Sequence, residues 1–273
     1  ADHSPSLPTD SRGSTFQSSS VHETTASRML LFGASLALSP APSTSRSTDW
    51  ASLAARRAAS VGSELQLPAL SATVLCTQPP VALVRGLLTA DECAGVVAEV
   101  GASGLLRPSR VRRDDGRGYG VDPSVRDSLE CVWAPDGVMA LPDGALPVVV
   151  AQRLHRLLGD VARPDHVEGP KVVKYGASQH YSEHLDWGAG LAAAPAGQRT
   201  ATALLYLSSL DGEREGGCTV FPRLGLRVAP EAGSALVWSN LTPDGEGDRS
   251  TLHGSEPTLA VARDKWVCNY FYR

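Results

Sequence analysis

Tyr175-Gly-Ala-Ser-Gln-His-Tyr-Ser-Glu-His-Leu-Asp-Trp187 is the stretch on which the reading of the fold turns. It ends in a short β-type run, Tyr181–Trp187, and sets His184 and Asp186 two residues apart. On a strand, residues i and i+2 face the same way, about 6.6 Å apart along the chain. One imidazole and one carboxylate can therefore reach a single cation. A third ligand would complete a facial set of two histidines and a carboxylate, which suits Fe(II) and leaves open positions on the other side of an octahedron. Of seven histidines, His155, His166, His180, His184 and His253 fall in the part that reads as folded. His253, in Ser250-Thr-Leu-His-Gly-Ser255 between candidate strands, is the natural third ligand.

Outward from this stretch the chain keeps a β character to its end. Ten of the fifteen aromatic residues fall in Lys171–Arg273. Short runs at Lys171–Tyr175, Tyr181–Trp187, Ala201–Ser208, Cys218–Phe221, Ser234–Ser239 and Trp266–Arg273 are separated by Gly, Pro and Asp. Many short strands with turn signals predict a jelly roll or barrel. Toward the N-terminus the period changes. Thr89 and Glu92 form a capping box ahead of Val96, Val97 and Val100. Leu146–Leu158 carries an apolar stripe through Val149, Val150, Leu154, Leu157 and Leu158. Both predict helices packed outside the β core. Between them, Arg107–Arg126 is dense in Arg, Asp and Gly and reads as an exposed, solvated loop.

Residues 1–69 read as a disordered Ser/Thr-rich tail. The first fifty hold nineteen Ser or Thr and no Lys, too little apolar surface to offset ordering entropy. Met29–Leu38, followed by Ser39-Pro-Ala-Pro-Ser43, has the build of a short signal-peptide core, and its acid-poor surroundings also suit an organelle transit peptide. That run is far below the ~18 residues of a spanning helix. A formal net charge of -4 argues against a general nucleic-acid binder. Five scattered cysteines with no C-x-x-C pair exclude a zinc ribbon and leave disulfide pairing open. Only three cations are lysines, Lys171, Lys174 and Lys265, so the place of each bears on function.

The quoted stretch closely resembles the first metal-binding segment of the prolyl 4-hydroxylases, within the 2-oxoglutarate- and Fe(II)-dependent dioxygenases, closest to the algal and plant-like type. The likeness continues in order through Gln198-Arg-Thr-Ala-Thr-Ala-Leu-Leu-Tyr-Leu207, Glu215-Gly-Gly-Cys-Thr-Val-Phe-Pro222, Pro230-Glu-Ala-Gly-Ser-Ala-Leu-Val-Trp-Ser-Asn240, His253-Gly-Ser-Glu-Pro-Thr258 and Asp264-Lys-Trp266. Leu87–Cys93 resembles the family's entry helix. The resemblance covers roughly residues 80–273. It implies an α+β fold with a double-stranded β-helix (jelly-roll) core at about 166–273 and N-terminal supporting helices, in one domain spanning 70–273.

It also implies a site and a chemistry. His184, Asp186 and His253 would bind Fe(II). Lys265 would hold the distal carboxylate of 2-oxoglutarate, a fitting task for a compact ammonium at the bottom of a barrel. With Lys265 facing inward, Asn269 and Phe271 share its face, while Trp266, Cys268, Tyr270 and Tyr272 point away. Tyr175 and Tyr206 match positions that contact the cosubstrate; Tyr181, Arg199 and Arg273 match positions facing a peptide. Trp187 and Trp238 read as packing residues. The expected reaction uses O₂, Fe(II), 2-oxoglutarate and ascorbate to hydroxylate a proline-rich peptide or protein, in the secretory pathway or endoplasmic reticulum.

The sequence departs from the family pattern at several points. His253 and Lys265 are twelve apart where about ten is usual, which reads as a lengthened hairpin at Ala260–Arg263 and leaves Arg263 a rival for the carboxylate. Asn269 stands where a threonine is common, Arg273 where a histidine often faces substrate, and Cys218 in place of a glutamate. The Asn269 and Arg273 changes keep open another peptide side chain or a small molecule as substrate; a silent jelly-roll binding module is a second alternative, although the broken metal set or lost lysine that would mark it is not seen. A zinc hydrolase is disfavoured, because no glutamate is set near the three ligands as a general base.

Overall fold

The computed structural model describes residues 71–112, 118–193, 196–259 and 263–273. The Ser/Thr-rich tail, its apolar patch and most of the hairpin read at Ala260–Arg263 lie outside them.

The chain opens with a hairpin, β1 (Ser71–Thr77) and β2 (Pro80–Arg85), and enters helix α1 (Ala90–Ala102). Short strands follow: β3 (Arg107–Pro108), β4 (Val111–Arg112), β5 (Tyr119–Gly120) and β6 (Leu129–Val132). Helix α2 (Leu146–Leu158) leads into β7 (Lys171–Tyr175) and β8 (Tyr181–His184), with the single turn α3 (Ala189–Ala192) next. The remainder is β9 (Ala201–Tyr206), β10 (Thr219–Phe221), β11 (Leu226–Val228), β12 (Ala235–Ser239), β13 (His253–Ser255) and β14 (Lys265–Tyr272). Eight strands make the large sheet, in the order β1-β2-β12-β9-β14-β7-β6-β3, and four make the small one, β11-β10-β13-β8. Every pairing given is antiparallel. This is the jelly-roll architecture, with two helices against one face of the larger sheet.

The large sheet is covered on both sides, which explains why its central strands are apolar without a break. On one face Ala203, Leu205, Val237, Cys268, Tyr270 and Tyr272 meet Val96, Val100, Val150 and Leu154 of the two helices. On the other, Val173, Tyr175, Leu204, Tyr206, Leu236, Trp238 and Val267 meet Phe221 and Val228 of the small sheet. At ~1.5–3 kcal/mol for each large apolar side chain removed from water, these two layers carry the fold.

Helix α1 begins as its residues dictate. Thr89 Oγ1 accepts from the Glu92 amide at 3.1 Å, and Glu92 Oε2 accepts from the Thr89 amide at 2.8 Å. Glu92 has a second duty. Arg153 of α2 forks onto both its oxygens at 2.8 Å and donates to the Leu87 carbonyl at 3.0 Å. The Arg153 hydrogen bonds, working against burial, hold the Glu92 carboxyl below its ordinary value. One carboxylate thus caps α1 and ties it to α2.

The described part of Arg107–Arg126 is largely exposed, as its composition suggests, but it is not all loop: it supplies β3 and the β4–β5 pair, and Arg126 is buried. Composition hid this because the compensating groups lie outside the segment: Glu130 at 3.2 Å and Ser128 Oγ at 3.0 Å. Strands β1, β2, β11 and β13 were likewise not predicted. β11 and β13 have three residues each, too few to show a period.

Arg153→Met should lower the unfolding free energy by about 2 kcal/mol, since it strands a partly buried carboxylate. Denaturant titration checks this; a loss below about 0.5 kcal/mol would mean that the α1–α2 link is dispensable.

Candidate active site

β8 ends at His184, and Asp186 follows two residues on. β13 begins at His253, and the register between the two strands sets His253 directly opposite His184. The three side chains meet between the sheets. Nε2 of His184 lies 3.7 Å from Oδ1 of Asp186, and Nε2 of His253 lies 3.7 Å from Oδ2. One ligand atom from each falls within 4.8 Å of the others. Those separations are too long for hydrogen bonds and suit donors converging on one ion.

The rings are held for that purpose. His184 Nδ1 is 3.0 Å from the Ser182 carbonyl, and His253 Nδ1 is 2.8 Å from the Thr251 carbonyl. A carbonyl only accepts, so in each ring Nδ1 carries the proton and Nε2 presents its lone pair inward. Burial, with His253 alongside, pushes His184 down to about 3, which keeps it neutral. Tyr181 stacks on His184 with ring centres 3.7 Å apart, and Trp238 packs edge-on against His253 at 4.7 Å.

Asp186 is oriented by a buried relay that sequence reading missed. Thr202 Oγ1 donates to its Oδ2 at 2.8 Å. Asn240 Nδ2 donates to Thr202 Oγ1 at 2.9 Å, and Trp238 Nε1 donates to Asn240 Oδ1 at 2.9 Å. Burial opposes the ionised form of Asp186, but the two histidines, Arg199 and the Thr202 hydroxyl outweigh it and hold the carboxyl below the usual range. Thr202 and Asn240 are both fully buried. A buried Asn just past a strand was the available signal, and Trp238, read as packing alone, also serves as its donor.

Deeper in the same cavity stands Lys265, 1% exposed. Its Nζ donates to Ser255 Oγ at 2.7 Å and lies 5.0 Å from the centre of the Tyr175 ring. Burial pushes its pKa down to about 7, although Cys218 and Glu256 pull the other way. Gly217 makes room for it. At φ +68° this residue holds the left-handed turn of Glu215-Gly-Gly217, and a Cβ there would sit 3.4 Å from the lysine Cδ and 2.9 Å from Leu210. Arg263, the rival cation, is 76% exposed beside Glu215. Lys174 is outside as well, paired with Asp264 at 2.8 Å.

Along β14 the alternation separates two environments. Lys265, Val267, Asn269 and Phe271 line the cavity, while Trp266, Cys268, Tyr270 and Tyr272 sit in the helix-side core. Tyr175, Tyr181 and Arg199 also line it. Arg199 forks onto Glu168 with two bonds of 2.6 Å, and its guanidinium lies 3.7 Å above the Phe271 ring. Tyr206 is not in the wall: its hydroxyl donates to Thr219 Oγ1 at 2.8 Å, and Thr219 is the residue that reaches the cavity. Arg273 is not brought to the cavity either. It pairs with Glu168 at 2.8 Å and donates to the Gly197 carbonyl. In their place the wall contains Arg110, Arg112, Tyr119, Arg126 and Lys171, none of which was singled out as a site residue from the sequence.

Thr202→Val removes the donor to Asp186 and the acceptor for Asn240. It should weaken Mn(II) binding by about ten- to a hundredfold with the fold retained, as measured by electron paramagnetic resonance of free ion beside circular dichroism. Wild-type affinity in that variant would show that the relay does not orient the carboxylate.

The profile of the 2OG-Fe(II) oxygenase superfamily matches residues 170–273. Among curated proteins, human prolyl 4-hydroxylase subunit alpha-3 is 39% identical over 126 residues, covering 45% of this chain and 22% of that protein. Chicken prolyl 4-hydroxylase subunit alpha-1 is 38% identical over 131 residues, 45% of this chain and 24% of its own length. The chain thus spans under a quarter of the length of these relatives. Among solved structures, a viral collagen prolyl hydroxylase from Paramecium Bursaria Chlorella virus-1, in complex with 2OG, superposes with a TM-score of 0.52 at 22% identity. It covers 70% of this chain and 94% of its own, and the likeness is one of fold. Residues 170–273 thus match the 2OG-Fe(II) oxygenase superfamily, and the chain is similar over part of its length to prolyl 4-hydroxylase subunits.

Proposed function

We propose that the protein hydroxylates a peptidyl side chain, proline to 4-hydroxyproline, with conversion of 2-oxoglutarate to succinate and CO₂. The observation that carries this reading is that a three-donor metal set and a buried lysine with no acid partner share one cavity. In it His184, Asp186 and His253 hold Fe(II) through two imidazole nitrogens and a carboxylate, all from one side. Bound iron with O₂ and 2-oxoglutarate supplies the oxidation of an unactivated C–H bond, chemistry that no side chain offers.

The chain's own residues orient and enclose. Lys265 receives the far carboxylate of 2-oxoglutarate, with Ser255 and the Tyr175 ring beside it. Asn269 and Thr219 are polar groups on the wall between lysine and metal donors, and Asn269 takes the part that a threonine has in many relatives. Val267, Leu204 and Trp238 keep water away from that space. Tyr181 and Arg199 flank the mouth, where a peptide side chain would enter. Arg273 turns its guanidinium to Glu168, so the recognition of proline falls to those two residues. Ascorbate belongs in the assay as the reductant that restores Fe(II).

The binding of 2-oxoglutarate carries a proton signature. Free Lys265, near 7, is largely neutral at pH 8; a carboxylate beside it raises its pKa, so binding takes up a proton there and takes up none well below pH 7. Calorimetry at pH 8 in buffers of different ionisation enthalpy reads this directly. A buffer-independent enthalpy would show that Lys265 is not the partner.

Succinate release with Fe(II), ascorbate and 2-oxoglutarate tests the reaction itself. It should rise with a proline-rich peptide and fall at least about a hundredfold in Lys265→Ala, which loses a buried charge-assisted contact. Succinate that ignores the peptide would retain the oxygenase and discard the substrate. None under any condition would leave a binding module.

A further inference from the structure

The cavity is lined by six cations, Arg110, Arg112, Arg126, Lys171, Arg199 and Lys265, against a single acid, Asp186. Three have employment. Arg126 meets Glu130 at 3.2 Å, Arg199 is forked onto Glu168, and Lys265 is the interior cation assigned above to 2-oxoglutarate. The other three, Arg110, Arg112 and Lys171, have no ion pair among the described residues.

These three stand on two walls of the mouth. Arg110 Nη2 donates to the Tyr119 carbonyl at 2.8 Å, across the β4–β5 hairpin, which leaves its other donors unused. Arg112 reaches from the same hairpin to Gly188, two residues beyond Asp186. A Cβ on Gly188 would lie 2.5 Å from Nη1, so the guanidinium rests directly against this glycine. Lys171 faces them from the large sheet, opposite Asn269 in the register and on the same side of β7 as Tyr175. A concave site lined by one sign of charge raises the local concentration of the opposite sign. The chain as a whole has a net charge of -4, so the positive field is local to this opening.

We infer that the substrate is an acidic peptide, with Asp or Glu flanking the residue that enters the cavity and with Arg110, Arg112 and Lys171 receiving those carboxylates. The inference rests on the peptidyl oxygenase reading above and adds its substrate class. A peptide is favoured over a nucleic acid because the chain carries a net charge of -4, without the basic excess of a general nucleic-acid binder. The two hairpin arginines also match the bidentate geometry of a carboxylate.

The test uses three peptides of equal length that differ only in the residues flanking one proline: Asp/Glu, Ser or Lys. Binding of fluorescent versions is measured by anisotropy on the full chain loaded with Mn(II) and 2-oxoglutarate, and turnover is measured separately as succinate with Fe(II). The acidic peptide should bind about tenfold tighter than the Ser peptide at low salt, and the advantage should shrink at high salt. In Arg112→Glu/Lys171→Glu the order should reverse in favour of the Lys peptide, with an unchanged melting temperature as the check on folding. Equal binding of all three peptides overturns the inference, as does a single-stranded oligonucleotide that binds tighter than the acidic peptide. Tight acidic binding without succinate supports the charge selection and removes the oxygenase reading on which it was built, so the two failures are distinguishable.

Discussion

Strand β14 runs between two environments that cannot be exchanged. Its even-numbered residues, Trp266, Cys268, Tyr270 and Tyr272, are packed under the helices, and its odd-numbered ones, Lys265, Val267, Asn269 and Phe271, face the space between the sheets. A slip of one residue would drive a lysine and an asparagine into an apolar core and turn three large aromatics toward the metal donors. Register is therefore specified by burial on both faces, and the position of Lys265 is a consequence of packing. The same holds across the small sheet, where β8 and β13 pair so that His184 meets His253.

Charge inside this frame is arranged by what each group lacks. Lys265 donates to a hydroxyl and has no ion pair among the described residues, so burial, against the pull of Cys218 and Glu256, lowers its pKa to about 7. Asp186 has the opposite treatment: the Thr202 hydroxyl and the nearby positive groups keep it ionised despite burial. One end of the cavity is prepared for a cation and the other for an anion.

Much of this was legible in the sequence, for stated reasons. His-x-Asp on a strand, a distal histidine before a Gly-Ser and an Asp-Lys-Trp ahead of an aromatic alternation are local signals, and each sits where its period says. Helix α2 and strand β7 follow from patterns long enough to count. The Thr202–Asn240–Trp238 relay was not legible, because it joins β9 to the end of β12 through side chains that carry no spacing rule. Arg126 was misread for a related reason: its neighbours in sequence suggest solvent, while Glu130 and Tyr181 make it interior. Tyr206 and Arg273 show the limit of carrying positions over from a resemblance. The first spends its hydroxyl on Thr219 and the second its guanidinium on Glu168, so neither reaches the cavity wall.

A division of labour follows from where each part is built. The metal donors and Lys265 sit on strands at the centre of the fold, buried and held by backbone carbonyls or neighbouring hydroxyls. The mouth is made instead by a two-stranded hairpin of two residues on each side, β4 and β5, with exposed arginines. The buried strands thus hold the candidate metal donors and Lys265, and the exposed hairpin offers the groups that a substrate would meet first. Substitutions in the first should alter the reaction whatever the substrate, and substitutions in the second should alter which substrate is taken. This is why the identity of the substrate is to be sought in the charge of the hairpin and of Lys171, and not in the three candidate metal donors.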